Sequence, residues 1–272
     1  MSAPPPILCP LCRLALERGA KSWRCGKGHS FDVAREGYVN LMPVQHKHSR
    51  DPGDDPQMVA ARREFLQAGH YQPLRDAMLE CLAPLKMQSL LDVGCGEGYY
   101  TDAFTQISDE VLGLDISRSA IRLAAKRFPS VTWLVASGAL LPLADESVDV
   151  VSNIFTQMHI GEMQRVLKPG GHVLVVTPAP EHLWTIREQL FDAVRAYNPG
   201  KFLAGFDSGF TLQSQQSLRF PLNLQQQGLR QLLQMTPYAW KAKQDRRTAL
   251  EARETFATEA AFTLMLLRSR RV

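Results

Sequence analysis

The sequence predicts a doubly wound α/β domain with a small metal-binding module ahead of it. Three stretches carry that expectation. Leu90-Leu91-Asp92-Val93-Gly94-Cys95-Gly96-Glu97-Gly98-Tyr99-Tyr100-Thr101 reads as a buried strand, a glycine loop and the start of a helix. Without a Cβ, the backbone of such a loop can turn sharply and lie close to a ligand. Val111-Leu112-Gly113-Leu114-Asp115 reads as a second strand, whose terminal acid lies seventeen residues past Gly98. A carboxylate at that strand tip can accept both hydrogen bonds of a ribose diol. Finally, Cys9, Cys12, Cys25 and His29 follow the spacing C-x2-C-x12-C-x3-H. Two ligand pairs on two tight turns can close a tetrahedron around Zn²⁺, and four protein ligands leave no open position, so the expected zinc is structural.

Composition narrows the class. The 272 residues are 45% apolar, enough for a sizeable core in one domain with an appendage. No run of about 18 apolar residues is present, so no membrane span is expected. Met1 to Leu8 lacks the basic-then-apolar pattern of a secretory leader, and cytoplasmic residence is the default expectation. Five cysteines, three of them within the first 25 residues, suit a metal better than a disulfide framework. The net charge is +4, and residues 1–70 hold ten Lys and Arg against seven Asp and Glu. A modest basic surface of this kind suits a nucleic-acid partner. Arg13, Arg18, Lys21, Arg24, Lys27, Lys47 and Arg50 cluster around the zinc ligands and the loop after them.

The remaining elements follow in order. Residues 31–41 alternate in part and are expected to add strand and turn to the zinc module. Residues 45–56 are polar, basic at first and rich in Pro and Gly, which reads as a loop. The expected organisation is a zinc module over 1–43, a linker over 44–56 and a second domain over 57–272. Asp55-Pro56 offers an acid cap and a first-turn proline for a helix. Met58, Ala61, Phe65 and Leu66 share one face of it, Arg62 and Arg63 point elsewhere, and Gly69 stops it. A helix over 74–82 ends at Pro84, with Cys81 as a small buried residue. Ser117 can cap a helix running to Arg127, and 131–135 is a strand. Residues 143–151 give a turn and a buried strand, with Asn153 and Phe155 at its carboxyl end. A short helix over 163–167 leads through Lys168-Pro169-Gly170-Gly171 into a strand over 173–177. Beyond Thr177 the expectations are helices over 184–196 and 225–233, a loop over 198–209 and a last strand over 262–267.

The glycine loop, Asp115 and the run Arg165-Val166-Leu167-Lys168-Pro169-Gly170-Gly171 together resemble the Rossmann-like methyltransferases that use S-adenosylmethionine (SAM). That resemblance implies adenine contact at Ala136-Ser137-Gly138. Further segments narrow the likeness: Ser49-Arg50-Asp51-Pro52-Gly53-Asp54, Ala68-Gly69-His70-Tyr71-Gln72-Pro73-Leu74, Glu36-Gly37-Tyr38-Val39-Asn40-Leu41 and Met235-Thr236-Pro237-Tyr238-Ala239-Trp240. With the zinc ligands, they closely resemble the bacterial large-subunit (23S) rRNA guanine-N1-methyltransferases, nearly end to end and least over 184–225. Of that family's branches, one confers resistance to tylosin-type macrolides, and this chain looks more like the housekeeping branch of Gram-negative bacteria.

The resemblance implies an N-terminal zinc domain for RNA recognition and methyl transfer to N1 of a guanine in an rRNA hairpin. By position it implies SAM contacts from Tyr71, Gly96, Glu97 and His182, to which the residues themselves add Asp92, Gly94 and Asp115. The cofactors expected are SAM and one structural Zn²⁺. The partner expected is large-subunit rRNA, without a membrane, and a homodimer stays open. Where the family tends to an aromatic-Ala-Pro run after the fourth strand, this chain has Phe155-Thr156-Gln157. No catalytic residue is assigned, because spacing does not choose among His159, His182 and Asn153 near the expected site. Two competing readings remain: a SAM-dependent methyltransferase of a small molecule with a purely structural zinc knuckle, and a non-enzymatic RNA-binding or assembly protein.

Overall fold

Two sheets organise the computed structural model, which describes residues 4–43, 55–194, 196, 204–236 and 239–271. The smaller is antiparallel, from β1 (Leu16–Arg18), β2 (Ser22–Cys25) and β3 (Ser30–Asp32). The larger takes β4 (Val39–Asn40), β5 (Ser89–Val93), β6 (Glu110–Asp115), β7 (Thr132–Val135) and β8 (Val148–Ile154). It also takes β9 (Leu167–Pro178), β10 (Phe210–Gln225) and β11 (Thr255–Ser269), in the order β10-β11-β9-β8-β5-β6-β7-β4. β5 pairs in parallel with both β6 and β8, so the strand order reverses there. In an open α/β sheet the crevice beyond such a reversal is where ligands bind. The Gly94–Gly98 loop leaves β5 at that point.

The helices start where their caps dictate. Asp55 accepts the Gln57 N–H at 2.8 Å and starts α1 (Pro56–Gln67). α2 (Gln72–Leu82), α3 (Tyr99–Ala103) and α4 (Arg118–Arg127) follow, the last capped by Ser117 Oγ accepting the Ala120 N–H at 3.3 Å. α5 (Ile160–Val166), α6 (Trp184–Leu190), α7 (Gln226–Met235) and α8 (Gln244–Glu251) complete the helices used below.

A glycine inside β6 has a packing cause. A Cβ on Gly113 would lie 2.2 Å from Trp133 Cζ3, and one on Gly98 would lie 2.5 Å from Trp133 Cη2. The indole is 1% exposed, and its Nε1 donates to Phe128 O at 2.8 Å. It therefore fills the space left by two missing side chains, one on a strand and one in the loop.

The zinc module is not a separate bead. Ile7 bridges Leu143, Leu8 N donates to Pro142 O at 2.8 Å, and Ala144 N donates to Pro6 O at 3.1 Å. The Arg13 guanidinium donates to Leu141 O and Leu143 O, carbonyls that Arg165 also holds from the other side. Buried Cys9, Trp23 and Cys25 belong to the same apolar cluster as Leu112, Leu114 and Leu134.

Several expectations shift. Within 31–41, β4 pairs in parallel with β7 and closes the edge of the large sheet, instead of staying in the zinc module. The helix expected over 184–196 ends at Leu190. The strand expected over 262–267 is one arm of a long antiparallel pair, β10 with β11, and α8 between them was not expected. Cys81 is half-buried. The Gln45–Pro56 loop falls mostly outside the described residues, as do Lys47, Arg50, residues 198–203 of the 198–209 loop, and Pro237 and Tyr238.

Gly113→Ala is expected to cost about 1–3 kcal/mol by overpacking, and part of that should return in the double variant with Trp133→Phe. Urea unfolding of the four proteins checks this; an undisturbed Gly113→Ala variant would contradict the packing.

Candidate functional site

The metal centre is built by two knuckles. Arg13, with φ +61°, turns the chain after Cys12, and its N–H donates to Cys9 O at 2.8 Å. In the second knuckle Gly28 N donates to Cys25 O at 2.9 Å. The four expected ligand atoms lie within 4.8 Å of one another. Cys9 Sγ is 3.5 Å from His29 Nδ1, Cys25 Sγ is 3.4 Å from it, and Cys12 Sγ is 3.6 Å from Cys25 Sγ. Zn–S bonds of about 2.3 Å and Zn–N bonds of about 2.0–2.1 Å put tetrahedral ligand atoms about 3.4–3.8 Å apart, so the cluster fits zinc. No position is left open for a substrate, and none of the five cysteines forms a disulfide.

The second site is a cleft of ≈ 900 Å³ along the carboxyl ends of the strands. All seven residues expected at a cofactor, Tyr71, Asp92, Gly94, Gly96, Glu97, Asp115 and His182, line it. Gly94, Gly96 and Gly98 have φ of +75°, +55° and +82°. A Cβ on Gly96 would meet only Arg62 Nη1, at 3.6 Å, so the backbone there is open to a ligand. Asp115 braces this loop: its Oδ2 accepts the Gly96 N–H at 2.9 Å, and its Oδ1 accepts the Ser117 N–H at 2.7 Å.

Burial sets the protonation of two groups. Asp92 is 1% exposed, and burial raises its carboxyl to about 6, although Thr101 and Ser152 hydroxyls donate to it at 2.6 and 2.7 Å. His182 is pushed down to about 4 by burial, so its ring is neutral near pH 7. Its Nδ1 accepts the Ala261 N–H at 3.2 Å, which leaves the proton on Nε2.

Other expectations moved. Ala136 and Ser137 line a separate small hollow beside Pro10 and Arg13 instead of the cleft; Ile116, exposed by 39%, lies in the cleft beside Asp115. Arg62 lines the cleft, contrary to the expectation that it points elsewhere. Neither Asn153 nor His159 lines it; Asn153 Nδ2 donates to Gln157 O at 3.1 Å and pins the loop after β8. Tyr100, Thr177 and Phe262 line the cleft without having been expected to. Nothing in a single sequence sets them apart from core residues.

Because the module shares a core with the sheet, zinc removal by a chelator should lower the stability of the whole chain in one transition. A calorimetric trace showing an early melt of the module alone, with the rest unchanged, would contradict that. For Asp92 the raised folded value means stability is lost as pH rises. Relative to Asp92→Asn, the wild-type chain should lose about 2 kcal/mol between pH 4 and pH 7, most of it near pH 4–6. Denaturation at a series of pH values checks the sign.

Comparison with known proteins places this geometry. Residues 7–50 match the zinc-ribbon family described as "RlmA, N-terminal", and residues 91–175 match the family described as "Methyltransferase domain". A protein of Micromonospora griseorubida, described provisionally as a 23S rRNA (guanine-N1)-methyltransferase, is 35% identical over 90% of each chain. The 23S rRNA (guanine(748)-N1)-methyltransferase of Streptomyces fradiae is 33% identical over 88% of this chain and 87% of its own. Among solved structures, the YcgJ protein from Bacillus subtilis superposes with a TM-score of 0.50 at 18% identity, covering 73% of this chain and 98% of that one, which shows the shared fold. No helix among the described residues is long and apolar enough to cross a membrane. With sequence likeness carried over nearly the whole length, the chain belongs to the RlmA-like family of 23S rRNA guanine-N1-methyltransferases.

Proposed function

We propose that this chain transfers the methyl group of SAM to N1 of a guanine in a hairpin of large-subunit rRNA, in the cytoplasm. The observation that carries the reading is the convergence of the seven expected residues on one cleft, in a chain whose Cys₃His module packs on the same sheet. When bound, SAM supplies an electrophilic methyl on a sulfonium, and the protein's main task is to hold donor and acceptor in line. Gly96 offers open backbone to it. Asp115 stands at the tip of β6 with each oxygen accepting one backbone N–H, which orients its carboxylate for a ribose diol. Ile116 offers an apolar surface beside Asp115 for the adenine ring. Asp92, Glu97 and Asp115 surround the loop with carboxylates, which favours a cationic ligand. His182 does not remove the guanine N1 proton, because Nδ1 already accepts a backbone N–H and Nε2 carries the proton.

The zinc module, over 1–43 in this reading, grips the RNA, and 44–56 links it to the methyltransferase domain over 57–272. Its basic residues divide by role. Arg13 clamps Leu141 O and Leu143 O, and Arg18 donates to Pro5 O and lies over the Trp23 ring. Lys21, Arg24 and Lys27, beside the knuckles, are exposed and face solvent for phosphate, as does Arg35 farther along the module. Removing the module is no clean test of this, because Tyr38, Val39, Leu41 and Met42 are buried in the shared core. Placement in the housekeeping Gram-negative branch rests on the sequence resemblance alone, since the relatives named above come from Gram-positive bacteria.

Primer extension on 23S rRNA tests the reading. A stop at one guanine in wild-type cells should vanish in cells lacking the gene, because N1 methylation blocks base pairing; an unchanged pattern would sink the rRNA assignment and favour the small-molecule enzyme. Changing Lys21, Arg24 and Lys27 together to Ala should leave SAM affinity intact and lower the salt slope of RNA binding by about 0.7–0.9 for each phosphate no longer neutralised. An unchanged slope would move the RNA grip elsewhere.

A further inference from the structure

Two groups of residues of different chemistry line the cleft side by side, since a Cβ on Gly94 of the loop would meet Thr156, the neighbour of Phe155. One comprises the glycine loop, Asp115, Ile116 and Ser117. The other is aromatic. Ring centroids there are 6.3 Å apart for Tyr100 and Phe155, 5.3 Å for Phe155 and Phe262, and 5.1 Å for Tyr71 and Phe262.

Phe155 is the odd member. It is 43% exposed, and its backbone is left-handed, with φ +56°. A bulky residue pays for that conformation only where its surroundings impose it. One constraint on that backbone is visible: Phe155 N donates to Val176 O at 3.1 Å, which ties it to β9 where its side chain lines the cleft. Core packing does not account for a ring left this exposed.

Two hydroxyls in the same cleft are also unexplained. Tyr100 Oη and Thr177 Oγ1 are buried and have no hydrogen-bond partner among the described residues. Buried polar atoms are normally satisfied, and two orphans lining one cleft point to a ligand that completes them. An aromatic face flanked by hydroxyls able both to donate and to accept suits a flat, polar-edged ring. Guanine is such a ring, with an acceptor and donors along its pairing edge.

We propose that the aromatic part of the cleft receives one guanine turned out of its helix, stacked on Phe155, with the Tyr100 and Thr177 hydroxyls bonding its edge. This deepens the rRNA-methyltransferase reading and rests on it. The three residues bind the acceptor and are not assigned any proton transfer.

Tyr100→Phe, Thr177→Val and Phe155→Leu test the assignment in the full chain, with transcribed 23S rRNA and SAM as the probes. Because the two hydroxyls are unpartnered, Tyr100→Phe and Thr177→Val should unfold at the same or higher urea concentration than wild type. Both should keep SAM affinity by calorimetry, yet lose about tenfold in kcat/KM for RNA. Phe155→Leu should lose about tenfold or more, chiefly through KM for RNA, as removal of a stacking face would cause. A structural role would show the opposite pattern, with stability falling and activity following it, and would overturn the proposal. So would wild-type activity in all three variants, or loss of SAM affinity in step with activity. If the wild-type chain leaves 23S rRNA unmethylated, the reading on which the proposal stands fails first, and the variants are not the cause.

Discussion

The cleft depends on one brace, the hydrogen bonds that tie the glycine loop to the tip of β6. Gly94 N and Cys95 N both donate to Leu114 O, at 2.7 and 3.1 Å, and Gly96 N donates to the Asp115 carboxylate. Three loop glycines stand in left-handed conformations that the chain would otherwise leave freely. The same carboxylate holds Ser117 N, so the loop after β5 and the entry to α4 are set by a single side chain. Trp133 reinforces the arrangement from below by occupying the room that Gly98 and Gly113 leave. A carboxylate with both oxygens already engaged by backbone is pre-organised, so a ligand meets it without reordering it.

The second constraint is the closed edge of the sheet. β4 lies beside β7 and protects an edge that would otherwise offer unpaired backbone groups to another chain. Because Cys9 and Cys25 pack in the same apolar cluster as Val39 of β4 and Leu134 of β7, ligand knuckles, edge strand and sheet form one core. The distance from the exposed basic residues of the module to the cleft is therefore set by packed structure and not by a flexible tether. An enzyme that must present one base of a large RNA to a small cleft benefits from such a fixed relation.

The features most legible in the sequence were those with short-range causes. The zinc ligands, the glycine loop, Asp115 and the Asp55 and Ser117 caps each depend on spacing within one short stretch of chain: the four ligand atoms cluster, Asp115 holds the loop, and both caps accept backbone N–H groups. β10 was missed although Leu218, Phe220, Leu222 and Leu224 alternate with polar residues or proline: past Phe210 its first half is a uniformly exposed edge rich in Gln and Ser, and it carries Pro221, which only an edge strand tolerates. β4 was misplaced because two residues have no periodicity, and their partner lies far along the chain. Tyr71 and the Phe155 loop were singled out only through the family resemblance, and Phe262 not at all, for a related reason. Tyr71, Phe155 and Phe262 meet only after three elements far apart in sequence have packed, and each alone reads as core. The expected helix at 184–196 failed at its end, where Phe191 is extended and α6 stops.

The claim on which the account turns is that Asp115 both braces the loop and faces the ribose of SAM. Calorimetric titration of SAM into the wild-type chain and into Asp115→Ala measures it most directly. The account predicts affinity weakened by about 1.5–3 kcal/mol, roughly 10- to 100-fold, with the protein still folded. Unchanged affinity in a folded Asp115→Ala protein would contradict it and move the cofactor out of this cleft.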